Sequence, residues 1–215
     1  MIPVSDREIA RYLGYQGYSP TEDVKKVIAE VLSELSSIAH PKSLYRTETF
    51  SIDEEGLLHL GPLETDSRDL EKNLRGCTQV ILLGATLGTE VDLYIHRFEK
   101  LDMLKAVVAQ ACGAALIEGY VDQVQDQLKE RYEKEGLYMR PRFSPGYGDF
   151  PLTIQPRFLE VLELSRRIGI KLTDGLLMIP AKSVTAVIGL SPSPFSCDTN
   201  SCDLCGRESC PYRRA

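Results

Sequence analysis

The chain has 215 residues, 43% hydrophobic and 26% charged, which suits one large folded domain or a domain with an appendix and excludes fibrous and disordered classes. A formal net charge of −6 and an isoelectric point near 5.2 argue against nucleic acid or an anionic membrane as partner, and the Arg213-Arg214 pair is too short to alter that. No apolar run reaches the roughly 18 residues of a membrane span, and the first eight residues lack a charged-then-apolar signal, so the expected location is the cytoplasm.

From the amino end, residues 6–15 read as a short helix closed by Gly14. Ser19-Pro20-Thr21-Glu22 has the form of a capping box with proline at the first helical position, and Val24, Val27, Ile28, Val31, Leu32 and Leu35 supply an apolar stripe to about Ile38. Residues 42–52, with Tyr45, Thr47, Thr49 and Phe50, form an expected strand that turns at Glu54-Glu55-Gly56 into 57–60 as an antiparallel hairpin. Residues 67–74 read as a helix.

The near-continuous apolar run 79–83 has the character of a buried strand and leads into a Gly-rich turn, 84–89, before another helix. Such a turn is a place where anions bind, yet it matches neither a dinucleotide fingerprint nor a P-loop. Residues 103–135 sustain apolar positions at helical spacing, with the small residues of 109–115 marking a central helix packed closely on the sheet. One amphipathic helix is expected over 156–168, followed by closing strands at 176–179 and 184–188. At Ser191-Pro192-Ser193-Pro194 the composition changes abruptly, placing a boundary between a body of residues 1–190 and a tail of 191–215. The expected fold class is α+β, a mainly antiparallel twisted sheet with several helices and a small Cys-rich appendix.

Six cysteines divide unevenly. Cys77 and Cys112 lie in the body, where cysteine is usually a small buried hydrophobe, whereas Cys197, Cys202, Cys205 and Cys210 crowd the tail as C-x4-C-x2-C-x4-C. In a reducing compartment four cysteines so close read as a metal site before they read as disulfides. They suit tetrahedral zinc, which would staple a tail too small to bury a core, or an iron-sulfur cluster; the spacing does not decide, and the 4Fe-4S reading is favoured only because a redox centre suits an electron-consuming reaction.

The most informative stretch is Arg142-Phe143-Ser144-Pro145-Gly146-Tyr147-Gly148-Asp149, followed by 168–173 and by Met178-Ile179-Pro180-Ala181-Lys182-Ser183-Val184. A Pro-Gly-Tyr-Gly run forces an irregular loop whose backbone groups are expected to stay free for a ligand. Arg142 adds a planar fork suited to a carboxylate and Tyr147 an aromatic face suited to a purine. The alternative is a plain surface turn with Arg142 solvated.

These residues, in this order, resemble the S-adenosylmethionine-binding segment of the cobalamin-dependent methionine synthase activation (reactivation) domain; the likeness covers roughly residues 70–190 and is specific between Arg142 and Val187. The start 9–15, Ile-Ala-Arg-Tyr-Leu-Gly-Tyr, is similar to that of free-standing activation proteins. The resemblance implies that the chain binds S-adenosylmethionine and docks on a corrinoid protein, a methionine synthase subunit or related methyltransferase, whose cobalamin has been oxidised to cob(II)alamin. An external donor supplies the electron and the bound methyl donor traps the reduced cobalt, so cobalamin enters only through the partner. The task is positioning, with no general base or nucleophile needed.

By the same resemblance Arg142 engages the methionine carboxylate, Ser144 stands where an alanine gives main-chain contacts, and Gly146 and Tyr147 receive the nucleoside end. The family's acidic residue for the substrate ammonium has no clear counterpart, Asp6 being a weak candidate, and the family's closing aromatic strand is replaced by the cysteine tail. Two other functions stay open: an iron-sulfur electron carrier or redox activator for a corrinoid protein, and a structural adaptor without affinity for the methyl donor. A complete methionine synthase is excluded by length.

Overall fold

The computed structural model describes residues 2–15 and 19–194. Helices α1 (Asp6–Tyr12) and α2 (Glu22–Ile38) precede β1 (Lys42–Ile52), β2 (Leu58–Leu60) and β3 (Leu63–Thr65). Then follow α3 (Arg68–Asn73), β4 (Gln79–Thr86), α4 (Thr89–Leu101) and α5 (Met103–Lys134). After β5 (Tyr138–Met139) come a 3₁₀ turn (Leu152–Ile154), α6 (Gln155–Val161), α7 (Leu164–Arg167), β6 (Lys171–Leu172), β7 (Met178–Ile179) and β8 (Ser183–Ser191). Six strands make one sheet in the order β3-β2-β1-β4-β8-β5, every neighbouring pair antiparallel. The α+β class is as expected.

The sheet is covered on both faces, which explains why β4 reads as an unbroken apolar run. Its Ile81, Leu83 and Ala85 join Val31, Leu35, Ile95, Leu116 and Val121 in a core beneath α1, α2, α4 and α5. Val80 and Leu82 join Leu70, Phe143, Phe150, Phe158 and Leu164 in a second core on the opposite side. Against the expectation that no stretch is suited to a membrane span, α5 is by composition long and apolar enough to cross one, and most of that stretch is buried in the first core. Cys112 lies in that core, where burial pushes its thiol up to about 12, while Cys77 is half-buried.

Several elements differ from the sequence expectation. Gly84-Ala85-Thr86 continue β4 and do not turn; a Cβ on Gly84 would sit 2.6 Å from Leu164 Cδ2, so glycine there serves packing across the sheet, and the turn is confined to Leu87-Gly88, with Gly88 at φ 91°. Helix α2 starts at Glu22 with Thr21 as N-cap and no side-chain cap bond, leaving Ser19 and Pro20 outside. The helix expected over 156–168 breaks in two at Glu163, whose φ is 52°. Leu162 and Leu164 are both buried, and two positions apart they cannot share one helical face, so the chain resets between them. Residues 176–179 supply no strand of the main sheet: Met178–Ile179 pair with Lys171–Leu172 in a separate hairpin closed by Thr173-Asp174-Gly175, and Leu176 is the turn residue at φ 62°.

Candidate functional site

Beyond β5 the chain continues along the same edge of β8. Arg140 N–H donates to Gly189 O (2.8 Å), and Phe143 and Val187 exchange both backbone hydrogen bonds at 2.8 Å. The chain then folds on itself: Tyr147 N–H donates to Ser144 O, Phe150 N–H to Tyr147 O and Gly146 N–H to Phe150 O (2.7 Å). The expectation of a loop with its backbone groups free is thereby corrected, since these three amides are satisfied within the loop. Gly146 and Gly148 adopt φ 94° and 53°, and a Cβ on Gly148 would lie 2.4 Å from Asp69 Oδ2. Phe143 and Phe150 anchor the loop in the second core, with ring centroids 6.3 Å apart.

Asp149 fastens the loop a second time. Its carboxylate accepts from Ser67 Oγ and from the amides of Arg68 (2.8 Å) and Asp69 (3.1 Å), capping α3. Desolvation would raise its pKa, but the three donors together outweigh it and hold the carboxyl below its ordinary value.

Arg142 points from this loop to α5. Nη2 donates to Glu118 Oε2 (2.5 Å), and Nη1 donates to Asp122 Oδ1 and to Gln125 Oε1 (3.2 Å). Glu118, Asp122 and Gln125 fall at i, i+4 and i+7, one stripe on the helix. The arginine side chain is 16% exposed and the two carboxylates 26% and 49%, so the ion triad sits at the rim of the protein with its carboxylates open to solvent. Burial lowers the guanidinium pKa, and the charges and hydrogen bonds of Glu118 and Asp122 more than restore it. Burial, and after it the charge of Glu118, raises the phenol of Tyr12 on α1.

The site residues named from the sequence thus occupy one short loop: Arg142 against α5, Ser144 and Gly146 in the turn, and Tyr147 at its tip, 60% exposed. Sequence reading missed Glu118, Asp122 and Gln125; their signal was a polar stripe crossing the small-residue helix. Asp6 lies at the start of α1, where its charge acts on Cys112. The Pro180-Ala181-Lys182-Ser183 corner is held to the helices: Ala181 N–H donates to Asp92 Oδ2 (2.6 Å) and Lys182 Nζ to Gln110 Oε1 (2.8 Å). Burial depresses the Lys182 amine against the pull of Asp92. Cys197, Cys202, Cys205 and Cys210 lie outside the described residues, and among the described residues no group of His, Cys, Asp and Glu is placed to hold a metal.

The fold is an α+β domain, an antiparallel sheet sandwiched by helices with an arginine-bearing loop running along β8. Residues 72–199 match the family described as vitamin B12 dependent methionine synthase, activation domain, and the chain belongs to it. The fold is similar to that in the "Crystal Structure of the MetH Reactivation Domain bound to AdoHcy", with a TM-score of 0.60 and 18% identity over 82% of this chain and 67% of that one.

Proposed function

We propose that this chain binds S-adenosylmethionine at the Arg142 loop and supports reductive methylation of cob(II)alamin on a cobalamin-dependent methionine synthase or related corrinoid protein. The observation that carries the reading is the Arg142 triad. A methionine zwitterion carries both charges on one carbon, so its carboxylate can take one arm of the guanidinium while its ammonium takes the Glu118 or Asp122 oxygen released. Glu118 and Asp122 are in this reading the acidic residues that the sequence left unplaced. Ser144 and Gly146 bring main chain close to the ligand, and Tyr147 offers its ring to the purine. Family membership and the S-adenosylhomocysteine bound to the similar MetH reactivation domain support the choice of ligand.

The chemistry itself belongs to ligand and partner: an external donor reduces cob(II)alamin, the sulfonium methyl passes to the reduced cobalt, and S-adenosylhomocysteine remains. The residues of this chain orient the sulfonium and screen its amino-acid end. We assign residues 1–190 to this binding unit and 191–215 to a four-cysteine tail for zinc or a 4Fe-4S cluster, in a reducing cytoplasm; the end of β8 at Ser191 suits that boundary. Calorimetric titration of the anaerobically purified protein with S-adenosylmethionine tests the reading. Saturable binding that Arg142→Ala weakens is expected; no heat of binding would favour the structural adaptor.

A further inference from the structure

Strand β1 presents an open edge of defined length. Val187 exchanges bonds with Phe143 and Gly189 accepts from Arg140, so these residues of β8 face the site loop and the alternate ones face β4. The registers Ile188↔Ile81 and Val80↔Glu48 carry the alternation across the sheet: Lys42, Leu44, Arg46 and Glu48 direct their backbone groups to β4. Ser43, Tyr45 and Thr47 direct theirs to the other side, where β2 pairs only with Phe50, Ser51 and Ile52. Among the described residues no strand lies beside 42–48 on that side. The edge is closed at one end by Pro41, which has no N–H, and at the other by Thr49, whose carbonyl already accepts from Gly61 (3.0 Å).

The side chains along this edge are drawn back from it. Ser43, Tyr45 and Thr47 hydrogen-bond Tyr120 (3.2 Å), Arg131 (3.0 Å) and Tyr132 (2.5 Å), all on α5. No proline or bulge interrupts 42–48, so the guards against edge pairing that remain are the charges of Lys42, Arg46 and Glu48.

We infer that a second copy of this chain occupies the edge, its β1 lying antiparallel to this one about a twofold axis at Tyr45. In that register Tyr45 meets the partner's Tyr45, and Ser43 meets the partner's Thr47 at both ends, so every outward N–H and C=O of the three residues finds a partner. Moving the axis to Ser43 sets Pro41 against a carbonyl that needs a donor. Moving it to Thr47 sets Thr49, already engaged, opposite Tyr45. The charges agree with the same register: Lys42 falls opposite the partner's Glu48, twice by symmetry, so a residue that usually discourages edge pairing here favours one partner. Glu48 is itself paired with Arg46, and the row of charge alternates across the junction. Two main sheets become one, with the Arg142 loops on its outer side.

Sedimentation equilibrium of the full chain in reducing buffer tests this. A species of twice the 24.0 kDa chain mass is expected. Lys42→Glu should raise the dimer dissociation constant about tenfold, by turning two attractive pairs into repulsive ones. Tyr45→Pro should give monomer with an unchanged circular dichroism spectrum, because it removes an outward N–H and no bond of the β1–β4 ladder. If Tyr45→Pro fails to fold, Lys42→Glu decides. A parent that stays monomeric up to about 1 mM overturns the inference and leaves the edge to the chain's own tail or to an extended peptide. A dimer that neither substitution weakens also overturns it, since another face would then be the interface.

Discussion

Gly119 of α5 has no side chain where the carbonyl oxygen of Pro3 passes: a Cβ there would lie 2.1 Å from that oxygen. The amino-terminal segment crosses the helix through this gap. An alanine in a helix interior is ordinarily favoured over glycine by about 1 kcal/mol, but here the obstacle is backbone. Gly119→Ala should therefore destabilise the protein by about 1–3 kcal/mol in urea unfolding, the cost of overpacking. A gain in stability would show that the segment moves aside freely.

Replacing Arg142 by Ala should weaken S-adenosylmethionine binding by about 1.5–3 kcal/mol, the scale of a charge-assisted contact, as read by titration calorimetry. Because the same side chain neutralises Glu118 and Asp122, folding should also lose about 1 kcal/mol, discounted for the exposure of both carboxylates. Unchanged affinity would reduce Arg142 to a tie between loop and helix.

At Tyr147 the comparison of two variants separates ring from hydroxyl. Tyr147→Phe should bind nearly as well as the parent and Tyr147→Ala distinctly worse if the ring stacks on the purine. Equal losses would assign the role to the phenol.

Asp149→Asn should lower stability by about 1 kcal/mol at neutral pH, the worth of a helix cap. The folded-state pKa lies below the unfolded one, so this contribution is full above the ordinary aspartate range and fades as pH falls through the folded value. Parent and variant unfolding curves should accordingly converge in acid. A gap that persists undiminished below both values would refute the cap.

The tail predicts a block of four. Any one of Cys197→Ser, Cys202→Ser, Cys205→Ser or Cys210→Ser should reduce bound metal, measured on anaerobically purified protein, whereas Cys77→Ser and Cys112→Ser should not. Deleting 192–215 should spare S-adenosylmethionine binding by the body. A truncated body that no longer binds would mean that the tail completes the pocket.

Local signals carried much of the fold. The period of α2 and α5, the Glu54-Glu55-Gly56 turn and the apolar β4 run all reflect short-range chemistry, and each element formed within a few residues of its expected place. What escaped was decided by distant partners. Gly84 resembled a turn residue until Leu164 occupied its missing side chain, and the break at Glu163 depends on two leucines reaching one core from positions that no single helix face can offer. The arginine of the candidate site stood out by its loop; the two carboxylates it pairs with did not, because they lie 20 and 24 residues away on a helix whose apolar period dominated the reading.

Phe143 against β8 and Asp149 against α3 pin the two ends of the Ser144–Gly148 turn. A segment so fastened gives up its conformational entropy when the protein folds and has little left to lose when a ligand arrives. The loss is charged to the stability of the whole domain, so a variant that frees either end should become more heat-sensitive and a weaker binder together. Association should run at a rate set by encounter and not by loop closure.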